Sequence, residues 1–130
     1  MKKIGLFILP LLLLISACET NEYVVPNRTV VVNIQPGEWR SVDGGINYTA
    51  PIDMPEIDDY FNERGGVLAY LSLGDRTYEA LPQVYGGIAY NYITRPGQVV
   101  LELQSSDGQG RISPPANVIT VKIVLIDSEY

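Results

Sequence analysis

Cys18 is the only cysteine in this sequence of 130 residues, and there is no histidine at all. A Ser-His-Asp or Cys-His site needs an imidazole to move the nucleophile's proton, so neither can be built. A zinc centre of nitrogen and sulfur ligands is excluded with them, and so is an intrachain disulfide. Three kinds of side-chain chemistry are left: acylation of the lone thiol, carboxylate chemistry, and the flat faces of aromatic rings. Among the carboxylates, Asp53, Glu56, Asp58, Asp59 and Glu63 crowd one short segment. They are hard oxygen donors of the kind Ca²⁺ takes, but they lack the Asp-x-Asn-x-Asp-Gly spacing of a dedicated loop. The same acids suit the positive end of a helix dipole. Glycoside hydrolysis needs two carboxyl groups about 5–9.5 Å apart across a groove, and nothing in the sequence marks such a pair. No catalytic residue, metal or cofactor is assigned, and a non-enzymatic protein is expected.

The rings are more informative. Trp39, Tyr48, Tyr90 and Tyr92 fall in strand-like segments and Tyr85 just before one; exposed on a sheet, such faces stack on sugars and Gln83, Asn91 or Arg95 hydrogen-bond the hydroxyls. Cross-strand packing explains the same residues without a ligand. Arg111 is the single basic residue of a long loop, suited to a carboxylate or phosphate or simply to solvent. The candidate ligand-binding set is therefore Trp39, Tyr85, Tyr90, Tyr92 and Arg111.

Charge narrows the partners. The formal net charge is −6, and Lys122 is the only lysine after residue 3. Without Lys2 and Lys3 the tally is 7 basic against 15 acidic residues, or −8. A nucleic-acid binder needs a basic face to displace phosphate counterions, so nucleic acid is excluded as a partner. An anionic membrane surface repels such a domain, which leaves lipid as the route to a membrane.

The N-terminus supplies that route. Lys2 and Lys3 precede an apolar run from Ile4 to Ile15. As a helix it spans about 18 Å, short of the ~30 Å hydrocarbon core, and so fits a signal peptide rather than a membrane span. The run closes as Ile15-Ser16-Ala17-Cys18, which resembles the lipobox of bacterial lipoproteins. The resemblance implies cleavage between Ala17 and Cys18 and lipid on Cys18, with two or three acyl chains holding the chain to a membrane. It implies a cell-envelope address, the outer membrane foremost, on its periplasmic or surface face. Residues 1–17 are then the signal peptide and 18–27 a tether. Glu19 and Glu22 resemble the acidic export signals of surface lipoproteins in the Bacteroidota, and read equally well as a solvated linker.

Residues 28–127 must form the domain, and their pattern is that of strands. Period-two alternation predicts strands over Thr29–Gln35, Gly87–Ile93, Gln98–Gln104 and Val118–Ile126. Glu38–Val42 and Ile46–Ala50 flank Asp43-Gly44-Gly45 as a hairpin. Val67–Leu73, apolar on both faces, reads as a central strand, and Gly74-Asp75 as a tight turn into Arg76–Leu81. Pro51–Arg64 is the one helical segment, of one or two turns, with Asp53 as its cap and Ile57, Tyr60 and Phe61 as its apolar stripe. Ser105–Asn117 is a long turn-rich loop. These elements predict an all-β fold, an antiparallel β-sandwich (immunoglobulin-like or similar) with one short helical segment; a closed barrel is the alternative.

One further resemblance rests on Gly65-Gly66-Val67-Leu68-Ala69-Tyr70-Leu71, Leu81-Pro82 and Val121–Ile126. Together they look like a group of uncharacterised small Bacteroidota lipoproteins over residues 39–126, although the chain lacks a proline after its last strand. The matching positions are core and turn residues, so the likeness implies fold and little about activity. The expectation is a lipid-anchored envelope protein with a non-enzymatic binding or accessory domain. Its partner would be a glycan taken by exposed rings or an envelope protein it helps to assemble.

Overall fold

The computed structural model describes residues 27–128; the leader, Cys18 and the tether as far as Pro26 lie outside the described residues. Eight strands form two four-stranded antiparallel sheets, giving an all-β sandwich with a short helix. The first sheet is ordered β1 (Arg28–Ile34), β8 (Ile119–Ile126), β3 (Gly66–Ser72), β4 (Glu79–Ala80). The second is ordered β2 (Asn47–Asp53), β7 (Gln98–Ser105), β6 (Ile88–Arg95), β5 (Gln83–Tyr85).

One inner strand of each sheet, β8 and β7, contributes the longest runs of core residues. β8 alternates without a break: Ile119, Val121, Ile123 and Leu125 are buried, and the residues between them are half-exposed. In β7, Val99, Leu101 and Leu103 point the same way, against Ile52, Ala50 and Tyr48 of β2 on one side and Thr94, Tyr92 and Tyr90 of β6 on the other. Burying such side chains stabilises by roughly 1.5–3 kcal/mol each. The layers are also tied by a polar contact, in which the Tyr92 hydroxyl of β6 donates to the Val67 carbonyl of β3 at 2.6 Å.

Three elements differ from the sequence pattern. Glu38–Val42 is not a strand. Pro36–Glu38 forms a 3-10 turn, steadied by Arg40 donating to the Gly37 carbonyl, and the expected hairpin shrinks to one bridge between Arg40 and Thr49. The helix is shorter than Pro51–Arg64. Residues Pro51–Asp53 continue β2 because β7 offers them partners as far as Gln98, and an edge strand tolerates the proline's missing N–H. The helix, α1, runs only Asp59–Arg64, and its cap is Asp58, whose carboxylate accepts from the Phe61 N–H at 2.7 Å. Ile57 is buried and Phe61 packs on the core, whereas Tyr60 is exposed under the Arg64 guanidinium. Finally, Arg76–Leu81 yields only Glu79–Ala80, since Asp75 and Arg76 both adopt positive φ and carry the chain through a wider turn.

β5 had no clear sequence signal. It exists because Gly86 and Gly87, at φ 58° and 78°, close a two-residue hairpin onto β6. Paired positive φ values give the twist that favours such hairpins.

Candidate functional site

Strand parity decides which side chains a ligand meets. In β6 the residues Tyr90, Tyr92 and Thr94 share the inward register of Leu103, Leu101 and Val99, so Ala89, Asn91, Ile93 and Arg95 face outward. The outer face of this sheet is therefore built from cross-strand rows. One row is Asn47, Gln104, Ala89 and Val84; the next is Thr49, Glu102 and Asn91. Below them lie Pro51, Val100 and Ile93, then Asp53, Gln98 and Arg95. The face thus grades from amide-rich, through apolar, to charged.

Ala89 is the short side chain in a row of long amides, and the surface is hollowed there. A depression of about 120 Å³ is lined by Asn47, Thr49, Ala89, Asn91, Glu102 and Gln104. It adjoins a shallower groove of about 600 Å³ over Pro82, Gln83, Val84, Tyr90 and the same Ala89, Asn91 and Gln104. A third cleft, about 480 Å³, lies where β6 runs past β5, under Phe61 and Asn62 of α1 and against Val67, Pro82, Asn91 and Tyr92. Asn91 lines all three, and Asn62 Oδ1 in the last is buried with no hydrogen-bond partner. Ligand sites commonly fall in the 300–1,000 Å³ range.

The lining chemistry is specific in one respect. Each amide offers a donor pair and an acceptor, and Glu102 adds an acceptor-only carboxylate. No lysine or arginine lines any of the three hollows. Asn47 is oriented from behind by Asp43, which accepts from its N–H at 2.9 Å and its Nδ2 at 2.7 Å, and also from Ser41 and Ile46. These hydrogen bonds, those from Asn47 first, lower the Asp43 carboxyl from its ordinary 3.8 to about 2.

The sequence candidates disperse. Trp39 and Tyr90 are in the core, at 4% and 7% exposure, and present no ring face to solvent; burial raises the Tyr90 phenol above its ordinary pKa. Tyr92 packs against the core and spends its hydroxyl on Val67. Tyr48 also packs against the core. A continuous stacking strip of these tyrosines therefore does not form. Tyr85 is 58% exposed, but it lines a separate small hollow with Leu71 and Leu73. Arg111 is exposed beside Gly44, on a loop held by the Ile112 N–H donating to the Gly45 carbonyl. Arg95 is two rows further along the sheet than Asn91, with Asp53 and Gln98. Among the described residues no three acids gather as a metal site would require, so Asp53, Glu56, Asp58, Asp59 and Glu63 do not converge.

The fold brings Asn91 and Gln83 together in the groove, where Tyr90 also lines the wall, and sets Tyr92 beside Asn91 in the third cleft. Asn47, Thr49, Glu102 and Gln104 were not singled out by sequence, although the outward set of a period-two strand contains them. No protein family, curated protein or solved structure matches this chain.

Proposed function

We propose that this chain is a lipid-anchored, non-enzymatic binding protein of the cell envelope, taking a neutral polyhydroxylated ligand, a glycan, on the amide face around Asn91. The observation that carries this reading is the shared position of Asn91 in three adjoining hollows whose lining offers amides and a carboxylate but no cation. Such a surface hydrogen-bonds hydroxyl groups in both directions and has nothing to neutralise a phosphate. A single carboxylate, Glu102, lines the hollows, where hydrolysis of a glycosidic bond ordinarily uses two. The lipobox at Ile15-Ser16-Ala17-Cys18 supports the anchor.

The test is a screen of the purified full chain against immobilised neutral and anionic oligosaccharides, with Asn91→Ala and Glu102→Gln beside it. Binding to a neutral glycan that Asn91→Ala weakens is expected. Binding confined to sulfated or phosphorylated sugars, or unaffected by either substitution, overturns the site. For the anchor, Cys18→Ser should move the chain out of the membrane fraction; unchanged fractionation overturns it.

A further inference from the structure

Sheet edges are the places where a β-sandwich can add another strand, because their outer N–H and C=O groups lack partners. Most edges here are already occupied or interrupted. On β2, Arg40 exchanges both backbone hydrogen bonds with Thr49, Pro51 offers no N–H, and the strand ends where Met54 donates to Gly97. On β3, beyond the two residues paired with β4, the Ala69 carbonyl accepts from Leu81 and the Val67 carbonyl from Tyr92. β5 is three residues long. On the other side of the first sheet, β1 pairs with β8 over all seven of its residues and carries no proline, lysine or aspartate along Arg-Thr-Val-Val-Val-Asn-Ile. Among the described residues nothing hydrogen-bonds its outer edge in the way Arg40 or Leu81 do elsewhere.

The electrostatics of this side are also distinct. The chain has 15 acidic residues, yet β1, β3 and β8 contain none. Two copies of an acidic protein can approach here without bringing their acids together. The outer surface beside β1 is mixed but free of acids: Val31, 57% exposed, lies next to Lys122, whose ammonium sits over the Tyr70 and Tyr78 rings, and Thr29 lies next to half-exposed Val124 and then Leu68, 42% exposed.

We infer that β1 is a self-association edge, on which a second copy of this chain adds its own β1 antiparallel about a two-fold axis at Val31. The strand is self-complementary in that register. Val31 meets Val31 on the outer face, Thr29 meets Asn33 beside it, and Val30 meets Val32 on the core side, where both are only half-buried in one copy. The charged Arg28 falls opposite Ile34, so no like charges oppose each other. The result is one continuous eight-stranded sheet with an isologous interface, whose occupant is independent of any ligand at Asn91.

Directly opposed residues of antiparallel strands have Cα atoms about 4.5–5.5 Å apart, within the span of a disulfide. The experiment uses the detergent-solubilised full chain and its Val31→Cys, Val42→Cys and Val31→Lys variants. Val42 is fully exposed in the loop before β2 and serves as the control, and the unaltered chain reports any crosslink through Cys18. Under mild oxidation Val31→Cys should form a covalent dimer about tenfold or more faster than Val42→Cys, as pairing raises the local thiol concentration. By sedimentation the unaltered chain should dimerise reversibly, and Val31→Lys, with an unchanged circular dichroism spectrum, should stay monomeric at the same concentration. Equal crosslinking of Val31→Cys and Val42→Cys overturns the inference, as does a dimer indifferent to Val31→Lys. A monomer in which the β1 amides that face away from β8 are protected from hydrogen exchange would assign the edge to the chain's own N-terminal segment and overturn it too.

Discussion

Asn91 and Tyr92 are neighbours in sequence and lie on opposite faces of β6, which makes them a paired test of how the site is built. Tyr92→Phe keeps the ring in the core and removes only the hydroxyl that donates to the Val67 carbonyl. A neutral hydrogen bond contributes about 0.5–1.5 kcal/mol net, so a loss of about 1 kcal/mol is expected. For a domain of about 100 residues that lowers Tm by roughly 4–8 °C. Asn91→Ala, on the exposed face, should move stability by no more than about 0.5 kcal/mol. Its effect should fall on binding instead, about tenfold in Kd for a loss of ~1.4 kcal/mol. Thermal unfolding and glycan titration on the same two preparations separate the roles. If Tyr92→Phe abolished binding at unchanged Tm, or Asn91→Ala destabilised as much as Tyr92→Phe while leaving binding intact, the assignment of faces would be refuted.

Three other outcomes follow from particular contacts. Because hydrogen bonds lower the folded-state Asp43 carboxyl to about 2, below its ordinary 3.8, its contribution is present above that ordinary value and lost as pH falls through about 2; Asp43→Asn should flatten the acid limb of stability between those values, as read by urea titrations at a series of pH. Gly65→Ala would set a Cβ 2.8 Å from the Phe61 ring and 3.0 Å from the Ile126 carbonyl oxygen, so unfolding midpoints should show a loss of about 1–3 kcal/mol from overpacking. Lys122 has its ammonium 4.6 Å from the Tyr70 ring and 4.3 Å from the Tyr78 ring; Lys122→Gln should cost about 1–2 kcal/mol by the same measurement, at roughly 0.5–1 per ring contact.

The sandwich was legible because its central strands bury one face each. Ile119, Val121, Ile123 and Leu125 repeat every second residue, and the core they build leaves that register no alternative, since a one-residue slip would turn all four toward water. The elements misjudged were those whose conformation is decided by a neighbour. Pro51–Asp53 has the look of a helix entrance until β7 supplies hydrogen-bond partners, and β5 has no pattern of its own beyond the Gly86-Gly87 turn that folds it onto β6. Trp39 follows a turn rather than sitting in the expected strand, and goes inward for that reason.

The site was legible in part for a related reason. Aromatic residues draw attention as ligand platforms, but in a sandwich of two sheets the largest rings on an alternating strand are those best able to fill the space between layers. Period-two alternation sets Ile88, Tyr90 and Tyr92 on one face of the strand, and that same grouping commits them to the core once Leu101 and Leu103 stand beside them. The residues left to meet a ligand are then the intervening ones: Ala89, which is small enough to make a hollow, and Asn91, which is polar enough to use it. Neighbours on other strands complete the surface through register alone, Glu102 and Thr49 beside Asn91 and Gln104 and Asn47 beside Ala89. Residues on three strands, from 11 to 57 positions apart in the chain, become two adjoining hydrogen-bonding rows only after pairing is known, so the sequence could indicate Asn91 but not the company it keeps.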